Sequence, residues 1–174
     1  METAEKLSFE KELLIGKLKQ EMKVEVQLLD KFFELEEELH KAIYDKQWPL
    51  LEGLISRLKR TGNDIETADE KRDQYFAAVK KHIGLPFNSG LSELLENVGE
   101  EQGEEIRKLQ RDLKIRVVKV KGSTGRLGYI FRTLSESLND ILGEVFPHRK
   151  GKIYSMQGKP TDYADESIMV NRNL

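Results

Sequence analysis

The sequence has no cysteine. That excludes disulfide staples and thiolate metal sites, and it is compatible with a reducing compartment. Helix breakers are scarce, with 4 prolines in 174 residues, and there is a single tryptophan. An excess of one charge is also missing. The 29 basic residues stand against 31 acidic ones, so no basic field points to a nucleic-acid partner. No apolar run approaches the roughly 20 residues that cross a bilayer, so stable membrane insertion is not expected. Met1 to Ser8 lack the apolar stretch of a secretory signal.

Sets of residues that carry chemistry are missing as well. His40, His82 and His148 fall on different elements, and no pair has the i, i+4 spacing of a helical metal site. The two Glu-x-x-His motifs of a bundle di-metal site, one on each of two helices, do not occur. Lys121 to Arg126 superficially resembles a phosphate loop, but it lacks the full spacing and has no alternating β/α context. No catalytic residues, metal ligands or cofactor-binding residues are assigned, and the chain reads as a protein without enzymatic activity.

What is present is helical periodicity. Charged residues make up 34% and hydrophobic ones 38%, a balance suited to long amphipathic helices. Between Ile106 and Phe146, apolar positions recur in steps of three and four: Ile106, Leu109, Leu113, Val117, Val120, Thr124, Leu127, Phe131, Leu134, Leu138, Ile141 and Val145. This is the seam of a helix packed on other helices. At 1.5 Å per residue it forms one rod of roughly 60 Å. Gly122, Gly125 and Gly128 interrupt its composition but not its phase, so a bend or thinning is expected there. A strand over Ile115 to Gly122 is the competing reading, because β-branched residues cluster there.

The residues before Phe9 are expected to fray, and a first helix to run from about Phe9 to Tyr44. Its seam is Ile15, Leu18, Met22, Glu25, Leu29, Phe32, Glu36, Leu39 and Ile43, with a second row at Leu14, Leu28 and Leu35. Glu34, Glu36, Glu37 and Glu38 form an acid cluster, read as a solvated face or as a docking patch for a basic partner. Asp45 is the expected N-cap of a second helix, with Pro49 in its first turn. The short turn forces an antiparallel hairpin, with Trp48 expected to staple it beside Tyr44 and Leu51. The second helix spans about Trp48 to His82, with a loose section expected near 61–64, and Gly84 suits a left-handed C-cap. Residues 89–98 read as a short helix capped by Asn88 or Ser89 that covers a bundle end. An acidic link over Gly99 to Gly103 follows.

The fold class is therefore all-α: an elongated antiparallel helical bundle or coiled coil with three long helices, one short helix and a mobile C-terminal tail. The expected division is a bundle over 1–147 and a flexible tail over 148–174. The third helix also carries apolar residues off its seam, Tyr129, Ile130 and Leu142, with Phe146 at its end. The hairpin and short helix could cover them, or they could form a groove for a partner helix.

Three places resemble the FlgN-type flagellar type III export chaperones. They are the hairpin from Leu35 to Leu54, the helix segment Leu134 to Leu142, and the tail from Ile153 to Gly158. The family has polar residues near the middle of the third helix, where this chain has its three glycines. The resemblance implies a cytoplasmic chaperone that holds the C-terminal helical segments of the hook–filament junction proteins FlgK and FlgL and presents them to the export gate. It implies client contacts at Ile130, Leu134, Leu138, Ile141, Leu142, Val145 and Phe146. Tyr154 matches a tail tyrosine expected to dock on the export-gate protein FlhA, and Gly158 a turn glycine behind it. A self-associating coiled-coil scaffold is the alternative that heptads alone leave open.

Overall fold

The structure, a computed structural model, describes the backbone of residues 2–145, 153–154 and 160–161, and the side chains of residues 8–145. It is an all-α helical bundle. Helix α1 runs from Glu2 to Tyr44, α2 from Trp48 to His82, α3 from Leu91 to Asn97 and α4 from Glu100 to Val145. Two short strands follow, β1 (Ile153–Tyr154) and β2 (Pro160–Thr161). They are antiparallel, with Ile153 opposite Thr161 and Tyr154 opposite Pro160. The remainder of the 148–174 segment lies outside the described residues. The chain divides into two units, residues 1–129 and 130–174.

In the first unit, α1 and α2 form the expected antiparallel hairpin. Its turn is not held by Asp45. The N-cap of α2 is Gln47, which makes no side-chain cap hydrogen bond, and Pro49 sits in the first turn. The backbone closes the turn instead. Gln47 N donates to Ala42 O at 2.8 Å and Lys46 N to Ile43 O at 3.1 Å, with Lys46 in the left-handed region at φ 56°. This is the double hydrogen bond of a Schellman motif. The end of α2 repeats it. Leu85 N donates to Lys80 O at 2.9 Å and Gly84 N to Lys81 O at 3.3 Å, with Gly84 at φ 75°. Trp48 and Tyr44 are exposed, so no aromatic staple forms.

The seam of α1 packs as read. Ile15, Leu18, Met22, Leu29, Leu35, Leu39 and Ile43 are buried. Ile15, Leu18, Met22 and Leu29 build one core with Val79 of α2, Leu94, Leu95 and Val98 at α3, and Ile106, Leu109 and Leu113 of α4. Glu25 and Glu36 are buried on the same face. Glu36 therefore does not belong to a solvated acid cluster. Four glutamates adjacent in sequence point in different directions on a helix, and only Glu36 keeps the phase of the seam.

Several local expectations are corrected. Helix α1 starts at Glu2, ahead of the segment expected to fray. Helix α2 runs unbroken through 61–64; Thr61 is buried, and a Cβ on Gly62 would stand 3.8 Å from Phe32. Neither Asn88 nor Ser89 caps α3, whose N-cap is Gly90 with no side-chain cap hydrogen bond. The loop before α3 is tied by buried Lys80, whose Nζ donates to Phe87 O at 2.6 Å and Ser89 O at 3.2 Å. The acidic link does not form, because α4 already begins at Glu100 and buries Gly103 against Leu95 and Val98. The strand reading of 115–122 is overturned as well. The α-helix continues through Gly122, Gly125 and Gly128, where an added Cβ would meet nothing within 4 Å.

Helix α4 runs parallel to α1. Lys19 pairs with Glu105 at 2.6 Å and Arg116 Nε with Asp30 at 2.8 Å, both 86 positions apart. Further along, the Thr124 hydroxyl donates to Glu36 and Arg126 pairs with Glu37 at 2.6 Å, at separations of 88 and 89. The register is thus nearly constant along four α1–α4 contacts.

Candidate functional site

Two polar layers interrupt the core of the first unit. In one, Arg72 donates to Glu25 at 2.6 Å and also reaches Asp69 and Asp73. Burial lifts the Glu25 pKa above the usual glutamate value, against the pull of Arg72. For Arg72, burial acts downward, but Glu25, Asp73 and Asp69 outweigh it, so its pKa is raised. In the other layer, Glu36 Oε1 accepts from Thr124, and Oε2 is buried without a hydrogen-bond partner among the described residues. On α1 the layers stand three turns apart, from Glu25 to Glu36. Both layers tie together elements of the first unit.

A cleft of about 330 Å³ opens beside the first layer, lined by Met22, Glu25, Arg72, Phe76, Leu113 and Lys114 among others. Glu25 and Asp73 are committed to Arg72, which leaves a largely apolar recess with Lys114 at its wall. No group of three His, Asp or Glu residues suited to a metal ion occurs among the described residues.

The apolar surface lies further along α4. In the helical part of the second unit, Ile130 and Leu134 are half-buried, while Leu138, Ile141, Leu142 and Val145 are 53 to 61% exposed. At about 100° per residue these six side chains fall within an arc of roughly 120°. An arc that wide is the buried face of an ordinary amphipathic helix. Here the same pattern that is buried at Ile106, Leu109, Leu113 and Leu127 continues into solvent.

The structure therefore brings together six of the sequence-predicted contact residues. Phe146 and the Tyr154 side chain lie outside the described residues. Phe131 was missing from that set and belongs to it. It is 41% exposed, three positions before Leu134 and seven before Leu138. Its place in the seam was the available signal. Tyr129, read as part of the surplus, instead lies on the far side of α4 from the arc.

Comparison with known proteins gives one match. The family described as FlgN protein matches residues 13–162. No curated protein and no solved structure matches the chain.

Proposed function

The chain belongs to the FlgN family of flagellar export chaperones, and from that premise we propose that α4 between Ile130 and Val145 holds the client. The client is the C-terminal helical segment of hook–filament junction proteins of the FlgK and FlgL kind. The observation that carries this reading is an apolar stripe in helical phase over four turns, half-buried at Ile130 and Leu134 and exposed from Leu138 to Val145. An unassembled subunit's end helix has an apolar face of its own. Seating it on the stripe shields both faces from water. Affinity on the order of micromolar protects the segment and still permits release, since ordering the client offsets part of the gain. The protein works in the cytoplasm by binding alone and leaves nucleotide hydrolysis to other components.

Delivery follows from the tail. Tyr154 docks on the export-gate protein FlhA while α4 holds the client. Separate segments for the two tasks allow handover without competition.

Calorimetry with a junction-protein C-terminal segment tests the client reading. One-to-one binding with a negative heat-capacity change is expected from apolar burial. Folded protein that shows no heat of binding overturns it. For the tail, Tyr154→Ala should abolish capture by the FlhA cytosolic domain and leave client affinity unchanged.

A further inference from the structure

Helix α4 changes the sign of its charge along its length. Residues 107–126 contain eight basic residues and one acidic one, whereas 130–145 contain three acidic residues and one basic one. The change is sharpest on one edge. In the first unit that edge carries Arg116, which pairs with Asp30, Lys119, whose Nζ stands 3.8 Å from the Phe33 ring centroid, and Arg126, which pairs with Glu37. Positions on one edge recur every seven residues along a packed helix. Two heptads beyond Arg126 the position is Asp140, and four beyond Arg116 it is Glu144. Both are exposed, and neither forms an ion pair among the described residues. The edge that meets an acidic helix in the first unit is itself acidic beside the exposed stripe. The opposite edge has no acid: it carries Ser135, Asn139 and, one heptad before Asn139, Arg132.

We propose that the stripe is built for a partner helix of about four turns whose facing edge carries lysine or arginine. This rests on the client reading above and adds the chemistry that selects the client. The partner takes the role against 130–145 that α1 takes against 107–126, with the charges exchanged. A second copy of this chain does not fit. Two antiparallel stripes bring acidic edge to acidic edge, and two parallel ones set Asp140 and Glu144 beside Ser135 and Asn139, with the one base, Arg132, about two turns short of Asp140. A copy's α1 is already engaged by its own α4 through Asp30, Glu36 and Glu37.

The test uses the full chain and two synthetic helical peptides of about 18 residues. They share one Leu/Ile face and differ only in the flanking residues, Lys in one and Glu in the other. Fluorescence anisotropy at low salt should show the Lys peptide bound at least about tenfold more tightly, with the difference shrinking as salt screens the edge. Asp140→Lys with Glu144→Lys should reverse the preference, with helicity by circular dichroism unchanged. Equal affinity of the two peptides overturns the charge inference and leaves the client reading standing. Failure of both peptides, together with failure of the junction-protein segment, overturns both. A chain dimer at low micromolar concentration that Leu138→Asp abolishes overturns the choice of partner over a second copy.

Discussion

Single residues carry most of this protein's register information, and Arg72 is the clearest. It sits in the core opposite Glu25, about a quarter exposed. Replacing it with Met leaves a buried carboxylate without its partner. The expected loss is about 3 kcal/mol at pH 7, the low end for such pairs because Arg72 is not fully desolvated. The sign with pH follows from the raised pKa of Glu25, caused first by burial. A raised folded-state value means that the group's contribution is full below the unfolded value and is lost as pH rises through the folded one. Removing Arg72 raises it further. The Arg72→Met deficit in urea unfolding should therefore be smaller at pH 5 than at pH 7. Glu25→Leu with Arg72→Met should recover most of it. Lys46 gives a second case. A lysine at φ 56° bears a left-handed strain that glycine does not. Lys46→Gly is expected to stabilise the hairpin by up to about 1 kcal/mol, read as a higher urea midpoint with unchanged slope.

Helices, as elements, were legible where burial decides the outcome. The steps of three and four in α1 named its buried face, including the two inward glutamates, because a seam is a property of angle alone. Ends and turns were not legible to the same degree. Asp45 has the right side chain for an N-cap, but a Schellman closure at Lys46 places the cap two residues later, at Gln47, and leaves Asp45 out of it, while α2 starts at Trp48 as read. Asn88 and Ser89 failed as caps for a related reason: α3 is held by Leu94 and Leu95 in the core, not by its first turn. The surplus off the seam is legible as composition only: the sequence lists residues without saying which side of a rod each occupies, so Tyr129 counts with Ile130 and Leu142 although it turns away from them, and Phe131 counts as seam although it shares their arc. At the glycines, propensity pointed to a break and the phase of the seam pointed to continuity. The helix follows the seam. Since an added Cβ at Gly122, Gly125 or Gly128 meets nothing, alanine at all three should stabilise α4 by up to about 3 kcal/mol. Chemical denaturation of the triple variant measures this; a loss of stability would mean that the glycines serve the native backbone in a way the open space does not suggest.

For the whole molecule, the consequence is a division of labour. The first unit has its own core, drawn from all four helices before residue 129. Ending the chain after Tyr129 should therefore change its melting temperature by only a few degrees. The same truncation should abolish binding of the junction-protein segment, as followed by calorimetry. A collapse of the truncated chain would show that the second unit is part of the fold and not chiefly a binding surface.

The two polar layers have a mechanical meaning. Helices joined only by leucines can slip past one another, one apolar residue exchanging for the next. Here a slip of α1 against its neighbours drags Glu25 away from Arg72 and Glu36 away from Thr124, toward hydrocarbon. The layers act as detents. A pull along the axis of α4 is then met as shear against the Glu36–Thr124 stop, while the Glu25–Arg72 stop keeps α1 in place on α2. Under the proposed client reading, α4 would stay in register with the first unit while the client is withdrawn.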